Sequence, residues 1–157
     1  MKKILISGLF IAVVAFQSCK NDKTSEHNVQ SATAVASSEC YQAIYKADTL
    51  DLVIHTLENS AITGELTMKV YGSPEKTGKI KGKFSGDTLF ADYTFTAVND
   101  PKTTYKNPLA LLRRDSLLVL GNGQIETTMG KSYFVKGLPI DFDRVKYKFA
   151  TTDCQPN

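Results

Sequence analysis

The residues best equipped for chemistry in this chain are few: His27, His55, the segment Asp141-Phe142-Asp143-Arg144, and three cysteines, Cys19, Cys40 and Cys154. His27 falls in a polar stretch and His55 in a run that reads as β-strand, so the two histidines make no metal-binding pair. Neither has a visible nucleophile to activate, and a general base without one has no partner. Two aspartates separated by one residue could divide acid and base work between them. With an arginine adjacent, after Gly137 and Pro139, the same residues read as a turn closed by ion pairs. Neither a Gly-x-Ser-x-Gly elbow nor a phosphate-cradling glycine loop occurs. The expectation is a protein that is not an enzyme and that carries no cofactor and no metal.

Cys19 takes its meaning from what precedes it. Lys2 and Lys3 supply a positive start, and Ile4 to Phe16 is an apolar run of 13 residues. That is the length of a secretory signal core and too short to cross a hydrocarbon layer of about 30 Å. Residues 1–18 are therefore expected to be a cleaved signal peptide. Phe16-Gln17-Ser18-Cys19 resembles the lipobox of bacterial lipoproteins. The resemblance implies cleavage before Cys19, a diacylglyceryl group on its thiol and an acylated new amino terminus. The alternative is an ordinary secretory signal with an incidental cysteine. From Lys20 to Ser38 the chain is polar, with two valines and no aromatic residue, too little apolar surface to fold. Residues 19–38 are expected to form a flexible tether spanning about 20–25 Å. Several acyl chains anchor stably where one does not. The membrane is thus the expected partner through lipidated Cys19, in the bacterial cell envelope and at its outer membrane.

Residues 39–157 have the size of one domain with a real core. The 19 basic residues fall to 17 when Lys2 and Lys3 leave with the signal, against 16 acidic ones. That near balance argues against nucleic acid as a partner, because phosphate binding requires clustered cations. With Cys19 assigned to lipid, Cys40 and Cys154 remain at the two ends of the domain. Export into an oxidising compartment favours a disulfide between them over two buried free thiols.

The domain reads as β throughout. Short strands are expected over Cys40–Ala47, Thr49–Leu57 and Ile62–Tyr71, the third alternating without error between an apolar face (Ile62, Gly64, Leu66, Met68, Val70) and a polar one. Gly72 to Gly78 is a loop. Gly86-Asp87 is a favoured two-residue hairpin turn, since its first position accepts positive φ. That turn predicts pairing of Phe84 with Leu89, Gly82 with Ala91, Ile80 with Tyr93 and Lys81 with Asp92, and it sets Lys79, Lys81 and Lys83 on the outer face. Beyond Asn99-Asp100-Pro101, a hairpin turning at Arg114-Asp115 has Leu109, Leu111, Leu118 and Leu120 on one face and Ala110, Leu112, Leu117 and Val119 on the other. Both faces look buried. Either another part of the chain covers the outer one, which is favoured, or the leucines form a face for a partner. A short strand at Ser132–Lys136 and a last alternating run from Val145 to Thr151 complete the pattern. About eight strands joined mostly by short turns predict an all-β fold, an antiparallel meander closed into a small barrel.

Several segments carry a second resemblance: Cys40-Tyr41, Thr63-Gly64-Glu65-Leu66, Gly86-Asp87-Thr88-Leu89, Ala91-Asp92-Tyr93-Thr94-Phe95 and the terminal cysteine. Together they look like the body of small envelope lipoproteins found in one large group of Gram-negative bacteria, broadly similar to lipocalin-like barrels. The Gly-x-Trp signature of lipocalins is absent, since the chain has no tryptophan. Asp48-Thr49-Leu50, Asp87-Thr88-Leu89 and Asp115-Ser116-Leu117 resemble the O-glycosylation acceptor motif of exported proteins in that group, which would modify Thr49, Thr88 and Ser116. The same residues also suit plain turns. The functional expectation is a non-enzymatic binding or accessory lipoprotein, acting on a small hydrophobic ligand or an envelope protein. The alternative is an inhibitor of an envelope hydrolase such as lysozyme.

Overall fold

Residues 34–154 are described by the computed structural model. They form β1 (Val35–Tyr45), β2 (Asp48–Leu57), β3 (Ala61–Lys69), β4 (Lys76–Ser85), β5 (Thr88–Ala97), β6 (Asp100–Arg114), β7 (Leu117–Leu120), β8 (Ile125–Thr128), β9 (Lys131–Phe134) and β10 (Lys148–Thr152). Eight of these close into an antiparallel barrel in the order β1-β10-β7-β6-β5-β4-β3-β2, and β8 and β9 pair separately. The signal segment, Cys19 and His27 lie outside the described residues.

Alternation determines what fills the barrel. Leu50, Leu52 and Ile54 of β2, Ile62 and Leu66 of β3, and Leu89, Ala91, Tyr93 and Phe95 of β5 point inward and are buried. They meet Ile80, Leu111, Leu118 and Phe149 in one cluster. Tyr93 is the more deeply buried of the two core tyrosines, the other being Tyr41, and its hydroxyl donates to the Leu66 carbonyl at 2.9 Å. A buried tyrosine oxygen without such an acceptor would cost about 1–3 kcal/mol.

The Gly86-Asp87 hairpin has the register expected from its turn: Phe84 opposite Leu89, Gly82 opposite Ala91, Ile80 opposite Tyr93 and Lys81 opposite Asp92. Gly86 supplies the positive φ, at 58°. The ion pair is diagonal, however, for Asp92 takes Lys106 of β6 at 2.7 Å. Lys79, Lys81 and Lys83 are exposed on the outer wall as expected.

Three expectations change. β1 begins at Val35, so Val35 to Ser38 is strand rather than tether. These residues are exposed and held by backbone pairing to β2, Ser38 opposite His55, which composition does not register. The β6–β7 turn is Asp115-Ser116, flanked by the pair Arg114 and Leu117, with Asp115 at φ 55°. The four leucines are not a partner face. Leu109, Leu111 and Leu118 are buried in the core and Leu120 packs against it. The opposite face is covered by the chain's own excursion between β7 and β10. That excursion leaves the wall where the Gly121 amide donates to the Ala110 carbonyl, and it rejoins where the Leu120 amide donates to the Tyr147 carbonyl. Within it Asn122 bridges Asp141, Ile140 and Phe142 lie against Gly121, and the Arg114 side chain reaches the Phe142 carbonyl. Ala110 and Val119 are consequently almost fully buried although they face outward.

Closure is made by three pairs, Cys40–Thr152, Tyr41–Thr151 and Gln42–Ala150. The Cys40–Cys154 disulfide stands beside them, with 5.2 Å between Cα atoms and a sequence separation of 114. Cross-linking so long a loop contributes about 4–5 kcal/mol in the chain-entropy limit.

Glycine is required where neighbouring strands approach too closely to admit a side chain. A Cβ on Gly78 would meet the Thr94 carbonyl oxygen and the backbone of Phe95 on the neighbouring strand. Gly78→Ala is expected to destabilise the fold by about 1–3 kcal/mol, as an overpacked site does, measured by urea denaturation. An unchanged midpoint would show that the two strands can move apart.

Candidate functional site

The largest concave feature among those described is an outer cleft of about 490 Å³ over β1, β2 and β3, beside the disulfide. Strand alternation builds it. Ser38, Cys40 and Gln42 of β1 face outward next to His55, Val53 and Asp51 of β2, and Glu65 of β3 and Asp153 complete the wall. Ser38 Oγ hydrogen-bonds His55 Nδ1 at 2.7 Å, and the Gln42 amide donates to Asp51 at 2.8 Å. Ser38 is therefore the hydroxyl beside His55 that sequence reasoning misses, because its polar neighbourhood reads as tether. The outward alternation of Ser38, Cys40 and Gln42, carried back one turn from the β1–β2 hairpin, is the signal that could have found it. A serine and a histidine in contact are two of the three parts of a nucleophilic site. Among the described residues no hydrogen bond between a carboxylate and the other ring nitrogen is present, and Ser38 is exposed with His55 only half-buried.

A second concavity, about 200 Å³, opens at the barrel mouth beneath the excursion. Met68, Tyr93, Phe95, Leu109 and Leu120 line it from inside, and Ile125 and Phe134 from above. Tyr93, Phe95 and Tyr105 stack in a ladder, with centroids 4.7 Å and 5.5 Å apart. Lys76 lies over the Phe95 ring at 5.5 Å.

Asp48, at the start of β2, holds the seam. It is the one buried charged side chain among the described residues. Its carboxylate accepts the Tyr71 amide at 2.9 Å and the Tyr147 hydroxyl at 2.8 Å. These bonds, the amide first, hold its pKa below the usual carboxylate value. Burial, reinforced by the bond to Asp48, pushes Tyr147 up to about 12. The Tyr147 ring meets Tyr45 edge-on at 6.4 Å, tying the end of the excursion to β1.

Asp141 accepts the amides of Asp143 and Arg144 and pairs with the Arg144 side chain at 2.8 Å, while Asp143 turns away to Arg114 at 2.9 Å. The two carboxylates therefore close a turn and do not face a common point. Thr49 and Thr88 are half-buried at the starts of β2 and β5, and Ser116 is exposed in its turn. No described group of three or more His, Cys, Asp or Glu side chains is disposed to hold a metal ion.

Comparison with family models, with curated proteins and with solved structures finds no match.

The Asp48 carboxylate stabilises the fold at pH values above its unfolded pKa of 3.8, and the contribution is lost as pH falls through the lower folded value. Asp48→Asn is therefore expected to be less stable than wild type at neutral pH, with the gap narrowing below about pH 4. Thermal melts between pH 7 and pH 2 measure it. A gap that stayed constant would assign the loss to packing.

Proposed function

We propose that this chain is a lipid-anchored accessory protein of the bacterial cell envelope, facing the outer membrane, that works by binding without catalysis. The observation that carries the binding mode is the filled barrel: Leu50, Leu52, Ile54, Ile80, Leu89, Tyr93 and Phe149 occupy the interior that a lipocalin-like carrier would keep open. Eight-stranded barrels either fill with side chains or hold one small ligand. The mouth cavity of about 200 Å³ falls below the 300–1,000 Å³ usual for ligand pockets. An envelope protein met by the outer wall therefore suits this barrel better than a hydrophobic ligand taken inside, and the likeness to lipocalins is one of architecture. The anchor rests on the sequence Phe16-Gln17-Ser18-Cys19 and the apolar run before it.

Fatty-acid labelling of the full chain in its native host is expected to mark wild type and spare Cys19→Ala, which should also leave the membrane fraction. Cross-linking in intact cells should then recover one stoichiometric envelope protein. Label retained by Cys19→Ala would overturn the anchor, and recovery of lipid-like small molecules alone would overturn the protein partner.

One feature favours inhibition of an envelope hydrolase as a second reading. Asp87 and Asp115 are exposed at adjacent hairpin turns, joined where the Arg113 amide donates to the Asp87 carbonyl at 2.8 Å. Protruding carboxylates of this kind fit a cationic cleft. Undiminished turnover across a panel of lysozymes and envelope proteases, at micromolar inhibitor, would dispose of this reading.

A further inference from the structure

The two ends of the barrel differ in character. At one end are the connections β2–β3, β4–β5 and β6–β7, whose turns expose Glu58, Asp87 and Asp115. The arginines nearby are engaged: Arg113 stacks on Phe84 at 4.0 Å and Arg114 pairs with Asp143. At the other end are the connections β1–β2, β3–β4 and β5–β6. Contacts bind these into a continuous rim, for the Tyr71 amide donates to Asp48 and the Val98 amide to the Glu75 carbonyl. The rim's apolar side chains stand in solvent, Tyr71 at 84 % exposure, Val98 at 71 % and, on the adjoining wall, Ile44 at 68 %.

Cations surround these tips. Lys46, Lys69, Lys102 and Lys146 are exposed there. Of the nearby acids, Asp48 is buried and occupied, Asp100 accepts the Tyr105 hydroxyl at 2.8 Å, and Glu75 is half-buried in the β3–β4 connection beside Lys69, so the four lysines outnumber the carboxylates left at the tips. Aromatic and aliphatic tips encircled by lysines match the layered chemistry of a bilayer surface, with anionic phosphates outside and acyl chains beneath. The opposite rim, with Asp87 and Asp115 exposed at its turns, would meet such a surface with like charge.

We infer that the Tyr71–Val98 rim, with Lys46, Lys69, Lys102 and Lys146, docks on an anionic lipid surface. The inference takes the nearness of a membrane from the lipid-anchor reading. The chain preceding β1 starts from the acidic end, and reach is the remaining condition. Fifteen residues separate Cys19 from Val35. A polar coil of that length spans about 21 Å, and a barrel of ten-residue strands tilted about 40° stands roughly 25 Å tall. Fully extended, fifteen residues reach about 50 Å, so the linking chain can pass the wall and let the far rim meet the bilayer.

The absence of tryptophan from the chain makes single-tryptophan probes clean. Full-length Tyr71→Trp, Val98→Trp and Ser116→Trp chains are mixed with vesicles of phosphatidylglycerol and phosphatidylcholine doped with brominated phospholipid. Emission from the first two is expected to shift to the blue and to be quenched, and emission from Ser116→Trp to stay unchanged. Lys46→Glu with Lys69→Glu in the Tyr71→Trp background should weaken vesicle binding by about tenfold or more. Quenching at Ser116→Trp instead, or at none of the three, overturns the inference. So does a shift at Tyr71→Trp produced only by detergent-solubilised envelope proteins and not by lipid. Repeating the measurement with Cys19→Ala separates the two readings: quenching that persists there upholds the rim whatever the fate of the anchor.

Discussion

Closure of the sheet depends on one short seam, the three pairs between β1 and β10. Every other neighbouring pair in the barrel is consecutive in the chain except β7 and β10, which share three pairs of their own. β10 therefore acts as a keystone only five residues long, held on both flanks by few backbone bonds. Three reinforcements surround it. Phe149 is sunk in the core, the Cys40–Cys154 disulfide locks one end, and the Tyr147–Asp48 hydrogen bond locks the other. A disulfide placed at the thinnest part of the wall gives more than its loop entropy, because it also removes the edges that an opened seam would offer to other chains.

The same economy of wall explains the long excursion. With β7 four residues long, the outward apolar side of the β6–β7 hairpin has no strand-borne neighbour to shelter it. The chain from Gly121 to Val145 folds back to supply that shelter, using Ile140 and Phe142. Closed inside and covered outside at this corner, the barrel leaves its polar wall and its two rims as the surfaces through which it can act.

Much of this was readable from the residues, and the exceptions share a cause. The Gly86-Asp87 hairpin could be read to the residue because turn chemistry and side-chain alternation select the same register. The eight-stranded closure and the Cys40–Cys154 bond followed from strand count and cysteine position. Val35 to Ser38 escaped notice because an exposed strand held by its backbone has the composition of a coil. The leucines of β6 and β7 revealed that both faces were apolar, yet not which one looked inward, since a run apolar on both sides loses the period-2 signal. The Ser38–His55 contact and the Asp48 seam join residues 17 and 99 apart. The first needs β1 to be extended back to Val35, and the second becomes visible only when the wall closes.

The separation of the seam in sequence also orders the assembly of the molecule. Hairpins from β1 to β7 form between neighbours, each at the cost of a loop of a few residues, whereas β1 cannot meet β10 until about 110 intervening residues have been arranged. Until then β1 has a bare edge and Cys40 a free thiol. A chain emerging amino terminus first carries that open edge longest, and the last residues to appear are the ones that close it.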